Sequence, residues 1–493
     1  MSSSHLAERF EIMSTLPQSK PHLLSLPNEI LAKICFEVAT LRSYKYWDPF
    51  NPHHISNLRL TCRHLHVPAT RELARNFLTI PTVMYARSSL EHLVELCKHP
   101  LFGPHVVGVN FHTCRLSASI FDEITSCLHD SAHRGNLEDV RRRRKDLNNY
   151  LELYGQERDL DQSDEAEKLL AKALSLLHSY GKAPSISLPG ISIKSSKGQR
   201  LGDSIRPWGY PKAVDKFLCT NGHWRVVMGP GQLSRSLMIL LKSAVTSGVE
   251  IPSLDLQMPD SWVEEAVPTE PDLQIVCKAL TALKTLRADL SNPFLLESLI
   301  DILQATLPHA GTLERVYLHG YDLRDDQSHL SLDDTSRLNL ARMGSILQSC
   351  QSGALVQIKL ECLDVRETDF LKLLEAHKHT LRALSLIKIV LDGCWTRFLF
   401  WIRENLSLEK LALLRLQYIY KPNPGEDTEI LHTGWWLGGG FSAEGVSDTR
   451  SELFDILKLM ERERSGEEVS ALEWEEYEID YDEYCEIRAW FDE

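Results

Sequence analysis

The sequence predicts an α/β chain in which three amino-terminal helices precede an irregular β/α solenoid. Three observations lead there. Apolar residues recur at helical spacing between Leu26 and Phe77, a short leucine-rich strand pattern recurs from about residue 213 onward, and helix-like stretches separate the recurrences. A chain of 493 residues exceeds one ordinary domain, and its 43% hydrophobic content is enough to bury a sizeable core.

The first helix is expected to open in Leu23-Leu24-Ser25-Leu26-Pro27-Asn28-Glu29-Ile30-Leu31-Ala32-Lys33-Ile34. Pro27 suits a first turn, where its missing N–H costs nothing, and Glu29 suits the positive end of the helix dipole. Ile30, Ile34, Val38 and Leu41 follow at spacings of four, four and three, and Leu31 and Cys35 widen the stripe. Ser56 is a candidate cap for a second helix in which Leu58, Cys62 and Leu65 share a face. Pro68 is expected to end that helix and open a third, with Ala69, Leu73 and Phe77 at spacing four. Three short helices in about 60 residues make a thin core. Part of their apolar surface is therefore expected to lie against a partner, as helix faces do in hydrophobic grooves.

The order Leu-Pro-x-Glu-Ile-Leu at 26–31, then Leu-x-x-x-Cys-Arg-x-Leu at 58–65, resembles the F-box. The resemblance covers residues 22–80, and it departs from the family in the long connection Arg42–Ile55, which holds Tyr44, Tyr46, Trp47, Pro49 and Pro52. It implies docking on a Skp-type adaptor of a cullin-RING ubiquitin ligase. The implied adaptor contacts are Leu26, Pro27, Ile30, Leu31 and Ile34, with Leu58, Cys62 and Leu65 from the second half of the motif.

Residues 81–212 read as an irregular segment. It has a strand at His105–Phe111, a helix near Ile120–Leu128, charged helical sequence over 130–182 and a Pro, Gly, Ser and Lys-rich linker over 183–212. The solenoid is expected over 213–460. Its strands are Leu283–Leu290, Leu313–Leu318, Leu355–Leu360, Leu381–Leu386 and Leu408–Leu413, and Gly248–Leu256 is a more divergent candidate. The central apolar positions 286, 316, 358, 384 and 411 are separated by 30, 42, 26 and 27 residues, the longest interval carrying a polar insertion at Arg324–Ser336. Leucine-rich repeats run about 20–29 residues, so the pattern resembles a degenerate form of them. Helices are expected between the strands at Phe294–Leu307, Ala341–Gln348, Phe370–His377 and Trp395–Asn405. One strand-helix unit cannot bury both faces, but stacked units share a core and present a strand face. After a Gly-rich aromatic loop at Gly434–Phe441 and a helix at Ser451–Arg462, residues 461–493 form an acidic tail rich in aromatics.

Composition narrows the function. The net charge is −14, and residues 461–493 account for −11 of it, which disfavours general nucleic-acid binding. The eleven cysteines are scattered without a Cys-x-x-Cys, which argues against a disulfide framework or a structural zinc site. Cys219 and His223 lie four apart with no second matching pair. No phosphate loop, nucleophile elbow or His-Glu-x-x-His is present, so no catalytic, cofactor or metal residues are expected. Arg141-Arg142-Arg143-Arg144-Lys145 reads as the solvated face of a charged helix before it reads as an import signal. No secretory signal and no membrane span are expected, which places the chain in the cytoplasm or nucleus. With the resemblance, the expected role is the client-recognition subunit of an SCF-type ligase. The alternatives are an adaptor-bound scaffold or regulator without a ubiquitination client, and an enzyme with an unrecognised site.

Overall fold

The computed structural model describes residues 26–40, 53–112, 115–116, 118–188, 228–229, 233–257, 269–290, 296–320, 343–350, 354–414, 416–418 and 440–444, with 449, 451, 453–458 and 462. The expectations for the connection 41–52, for Cys219 and His223, for the insertion 324–336, for the loop 434–439 and for the tail beyond 462 lie outside these residues.

Three helices open the chain: α1 (Asn28–Thr40), α2 (His53–Thr61) and α3 (Arg63–Phe77). The Pro27 carbonyl starts α1 by accepting from the Ile30 and Leu31 N–H groups at 3.0 and 3.1 Å. Two boundaries differ from expectation. Ser56 lies inside α2 and caps nothing, and the break between α2 and α3 falls at Cys62, not at Pro68. Cys62 is fully extended (φ −160°, ψ 163°), and the Thr61 hydroxyl ends α2 by donating to the Leu58 carbonyl at 2.7 Å. Pro68 sits within α3 at the loss of one N–H, and the helix continues because Leu65, Ala69 and Leu73 are buried along one face. α3 packs on both α1 and α2.

The body follows as β1 (Thr82–Met84), α4 (Arg87–Lys98), β2 (Gly108–His112), β3 (Arg115–Leu116), α5 (Ala118–His133), α6 (Leu137–Asp161), α7 (Glu165–Ser179), β4 (Ser185–Leu188), β5 (Met228–Gly229), α8 (Leu233–Ser247), β6 (Ser253–Leu256), α9 (Glu270–Ala279), β7 (Thr285–Asp289), α10 (Leu296–Thr306), β8 (Arg315–His319) and β9 (Gln357–Glu361). It ends with β10 (Asp364–Arg366), α11 (Glu367–Ala376), β11 (Ala383–Ile387), β12 (Val390–Asp392), α12 (Trp395–Asn405), β13 (Lys410–Leu414), β14 (Gln417–Tyr418) and β15 (Gly440–Glu444). Residues 343–349 and 453–458 are also helical. Among the described residues no helix is long and apolar enough to cross a membrane.

The main sheet has ten strands in the order β1-β2-β4-β6-β7-β8-β9-β11-β13-β15. Neighbours are parallel throughout except β15, which runs against β13. The strand order is the sequence order, so every crossover steps to the next place in one direction and the sheet has no switch point of the doubly wound kind. A second sheet, β10-β12-β14, is also parallel and takes one short strand after each of β9, β11 and β13.

Period-two alternation sorts the two faces of the main sheet. Val109, Ile186, Leu254, Leu286, Val316, Ile358, Leu384 and Leu411 stand opposite one another across eight strands, each at most 2% exposed. They join helical side chains such as Leu174, Leu241, Val276 and Leu303 in one core that runs from Leu78 to Leu457. The division expected at residue 213 is therefore not a break in the core: β1, β2 and β4 belong to the same sheet as the later strands. Ser185–Leu188, expected to be linker, forms β4, because Ser-Ile-Ser-Leu alternates as a half-buried strand does while Pro184 and Pro189 beside it give the look of a loop.

The β9–β10 and β11–β12 corners turn through left-handed residues, Cys362 (φ 54°) and Lys388 (φ 51°). Beside the first corner the Gly320 N–H donates to the Glu361 carbonyl at 2.7 Å, and a Cβ at Gly320 would stand 2.2 Å from the Cys362 carbonyl oxygen. Gly320→Ala should consequently destabilise the fold by about 1–3 kcal/mol, as overpacking against backbone does. Urea titration measures this, and a midpoint equal to that of the parent chain would refute the close approach. A clamp on a buried carboxylate locks the next turn. Glu367, 2% exposed, accepts from the Cys394 N–H at 2.8 Å and from Arg397 Nε and Nη2 at 2.5 Å each, which ties the start of α12 to the start of α11. Burial opposes its ionisation, but the Arg397 guanidinium and the Cys394 N–H outweigh it and hold the carboxyl below its ordinary range.

Candidate functional site

Two surfaces carry recognisable chemistry. The first is the amino-terminal helical unit, whose core is separate from that of the sheet: Leu31, Cys35, Ile55, Leu65, Ala69 and Leu73, with Leu26, Val38, Leu58, Cys62 and Phe77 packed around them. Burial raises the Cys35 thiol, with Glu72 adding to it, so Cys35 behaves as an apolar filler.

Leu31 (1% exposed) and Leu65 (2%), named above among the implied adaptor contacts, are buried in the unit's own core. Both fall where the helices meet, so their side chains hold the unit together and present no surface. Leu26, Leu58 and Cys62 lie half-buried on the core with one side outward. Pro27 is exposed, Ile30 is 44% exposed, and Ile34, one turn on from Ile30, is half-buried outside the packed set. Three exposed apolar residues escaped the sequence reading: Phe36, Val67 and Leu60, the last 72% exposed. Their signal is that they fall off the inward stripe of an amphipathic helix, where a polar residue is the rule.

The second surface is the other face of the main sheet. Thr82, Asn110, Ser187, Asp255, Arg287, Tyr317, Lys359 and Ser385 form one row across neighbouring strands. Asp289, His319 and Glu361 form the next row, one pleat further along. Between them lies a recess of about 260 Å³. Arg287 stacks over the Tyr317 ring at 4.7 Å. Asp255 accepts from the Ser187 hydroxyl and the Gln257 amide at 3.3 Å each, yet burial lifts its carboxyl above the ordinary value despite those donors and Arg287. His319 Nδ1 lies 3.2 Å from Asp289 Oδ1. Burial works against a charged imidazole there, but hydrogen bonds to Asp289 and Cys362 and the nearby Glu361 charge overcome it and raise His319 to about 10. The donor atoms of His319, Glu361 and Cys362 all lie within 4.8 Å of one another. Burial pushes the Cys97 and Cys350 thiols up to about 12, and both are core residues.

The basic run Arg141–Lys145 lies on α6, largely exposed, with Arg142 and Arg143 both paired to Asp139 one turn earlier. No protein-family model matches the chain, and no curated protein matches it either.

Proposed function

We propose that the chain is the client-recognition subunit of an SCF-type cullin-RING ubiquitin ligase. Residues 22–80 act as its F-box and dock on a Skp-type adaptor, while the sheet face holds the client. The observation that carries this reading is the amino-terminal unit itself: three helices close their own core yet leave Pro27, Ile30 and Leu60 outward. Apolar side chains left outward on a small helical unit are the features a partner groove takes up. Pro27 and Ile30 belong to the Leu26–Leu31 start of the motif that resembles the F-box.

In this reading the body is a leucine-rich-repeat-like solenoid. Supporting it are the one-way strand order and the in-register stacking of Leu286, Val316, Ile358, Leu384 and Leu411. The polar rows and recess then serve as the client surface. The protein catalyses nothing in this role: it raises the local concentration of client lysines near the recruited conjugating enzyme.

Ile30 is exposed, so Ile30→Asp should leave the melting temperature of the chain unchanged. It should weaken capture of a purified Skp-type adaptor by about 2 kcal/mol, roughly 30-fold. Leu26→Ala with Pro27→Ala should abolish co-purification. Full adaptor binding by both variants would end the docking assignment. A protein that accumulates on proteasome inhibition and co-purifies only when residues 22–80 are kept would identify a client; no such protein would favour the scaffold reading.

A further inference from the structure

We propose that His319, Glu361 and Cys362 form a binding site for a divalent transition-metal ion of the zinc class at the ends of β8 and β9. The argument begins with the backbone. Glu361 and Cys362 are consecutive, and in a regular strand consecutive side chains point to opposite faces. Cys362 is not regular: its φ of 54° puts it in the left-handed region, which non-glycine residues seldom occupy. That turn brings its sulfur round beside its neighbour's carboxylate, and both reach the imidazole of His319 on the adjoining strand. The close approach at Gly320 fixes the same corner, since only a residue without a side chain lets the Cys362 backbone come so near.

The donor chemistry suits this ion. Thiolate, imidazole and carboxylate is a mixed set that zinc accepts, with donors about 2.0–2.3 Å from the metal, whereas magnesium and calcium take oxygen alone. Asp289 supplies the supporting contact. Its carboxylate lies 3.2 Å from His319 Nδ1, which leaves Nε2 as the nitrogen available to a metal, as a carboxylate-oriented metal histidine requires. Three protein ligands leave a coordination position for water or for a donor from a bound molecule.

Asp289, His319 and Cys362 in series also suggest an activated thiol. Glu361 argues against it, because a carboxylate beside a thiolate repels the charge a nucleophile must carry. A divalent cation turns the same pair into a favourable arrangement. Arg287 and Lys359 belong to the neighbouring row of the sheet.

The test uses the full-length chain, reduced and freed of metal by a chelator. Zn2+ is titrated against a chromophoric chelator, and Co2+ is added as a spectroscopic substitute. One tight Zn2+ per chain is expected, with a thiolate-to-cobalt charge-transfer band. His319→Asn and Cys362→Ser should each remove the band. Asp289→Asn should weaken Zn2+ binding about 10–100-fold, the size of a lost orienting partner. Cys277→Ser, whose sulfur bonds the Ala305 carbonyl elsewhere, should change nothing. A folded wild-type chain that takes up no Zn2+ and shows no band overturns the proposal without any variant. Unchanged binding in both His319→Asn and Cys362→Ser overturns it as well.

Discussion

Leu384→Ala should destabilise the chain by about 2–5 kcal/mol, the range for removing a fully buried leucine and leaving a cavity. Leu384 lies in β11, 0% exposed, flanked directly by Ile358 on β9 and Leu411 on β13. Its neighbours on both sides are backbone-paired strands that cannot close the gap, so the loss should fall toward the upper part of the range. Denaturant unfolding followed by circular dichroism measures it. A loss below about 1 kcal/mol would mean that the row of stacked apolar residues is not a packed interior. The amino-terminal helical unit, with its own core, should be untouched by the change.

The second large effect is a loss of stability in acid through His112. Burial pushes its imidazole down to about 4 from an ordinary 6.5. The unfolded chain therefore takes up a proton near pH 6.5 that the folded chain refuses until about pH 4. The stabilising contribution is complete above pH 6.5 and is lost as pH falls through that window, roughly 3 kcal/mol in all at 1.36 kcal/mol per unit. His377 acts with the same sign: burial lowers its pKa, against the bond that its Nε2 donates to the Cys350 carbonyl at 3.0 Å. The measurement is the stability difference between wild type and His112→Gln at pH 7.5 and pH 4, which cancels the carboxylates common to both. The wild-type advantage should shrink by that amount, and a difference independent of pH would contradict the burial of a neutral His112.

Much of the architecture was legible because one physical rule, period-two alternation, was written plainly in the leucines. The positions 286, 316, 358, 384 and 411, chosen as equivalent from spacing alone, pair directly in the sheet. The helix expected at Trp395–Asn405 has those bounds. β4 was missed because its four residues are hemmed by prolines, and propensity outvoted pattern. The amino-terminal unit was read correctly as three helices, but which apolar residues face in and which face out depends on where the helices meet, which spacing alone does not give. Leu31 and Ile30 are adjacent on one stripe, and only one of them is core.

The His319 cluster was present in the same repeat register and went unread. Stacking the repeats on their leucines places Asp289, His319 and Glu361 in one column. Attention to sequence spacing hides such a set, because its members lie 30 and 42 residues apart along the chain. The turned backbone at Cys362 has no sequence signature at all, since cysteine is not a residue that favours positive φ.

The one-way order of strands has a further consequence for how the molecule comes together. Within the main sheet each strand pairs only with the main-sheet strands before and after it in the chain. Growth can begin at any well-made turn and spread outward from layer to layer. Damage should travel by the same rule: a lesion near one end unravels that end first and leaves the far layers standing.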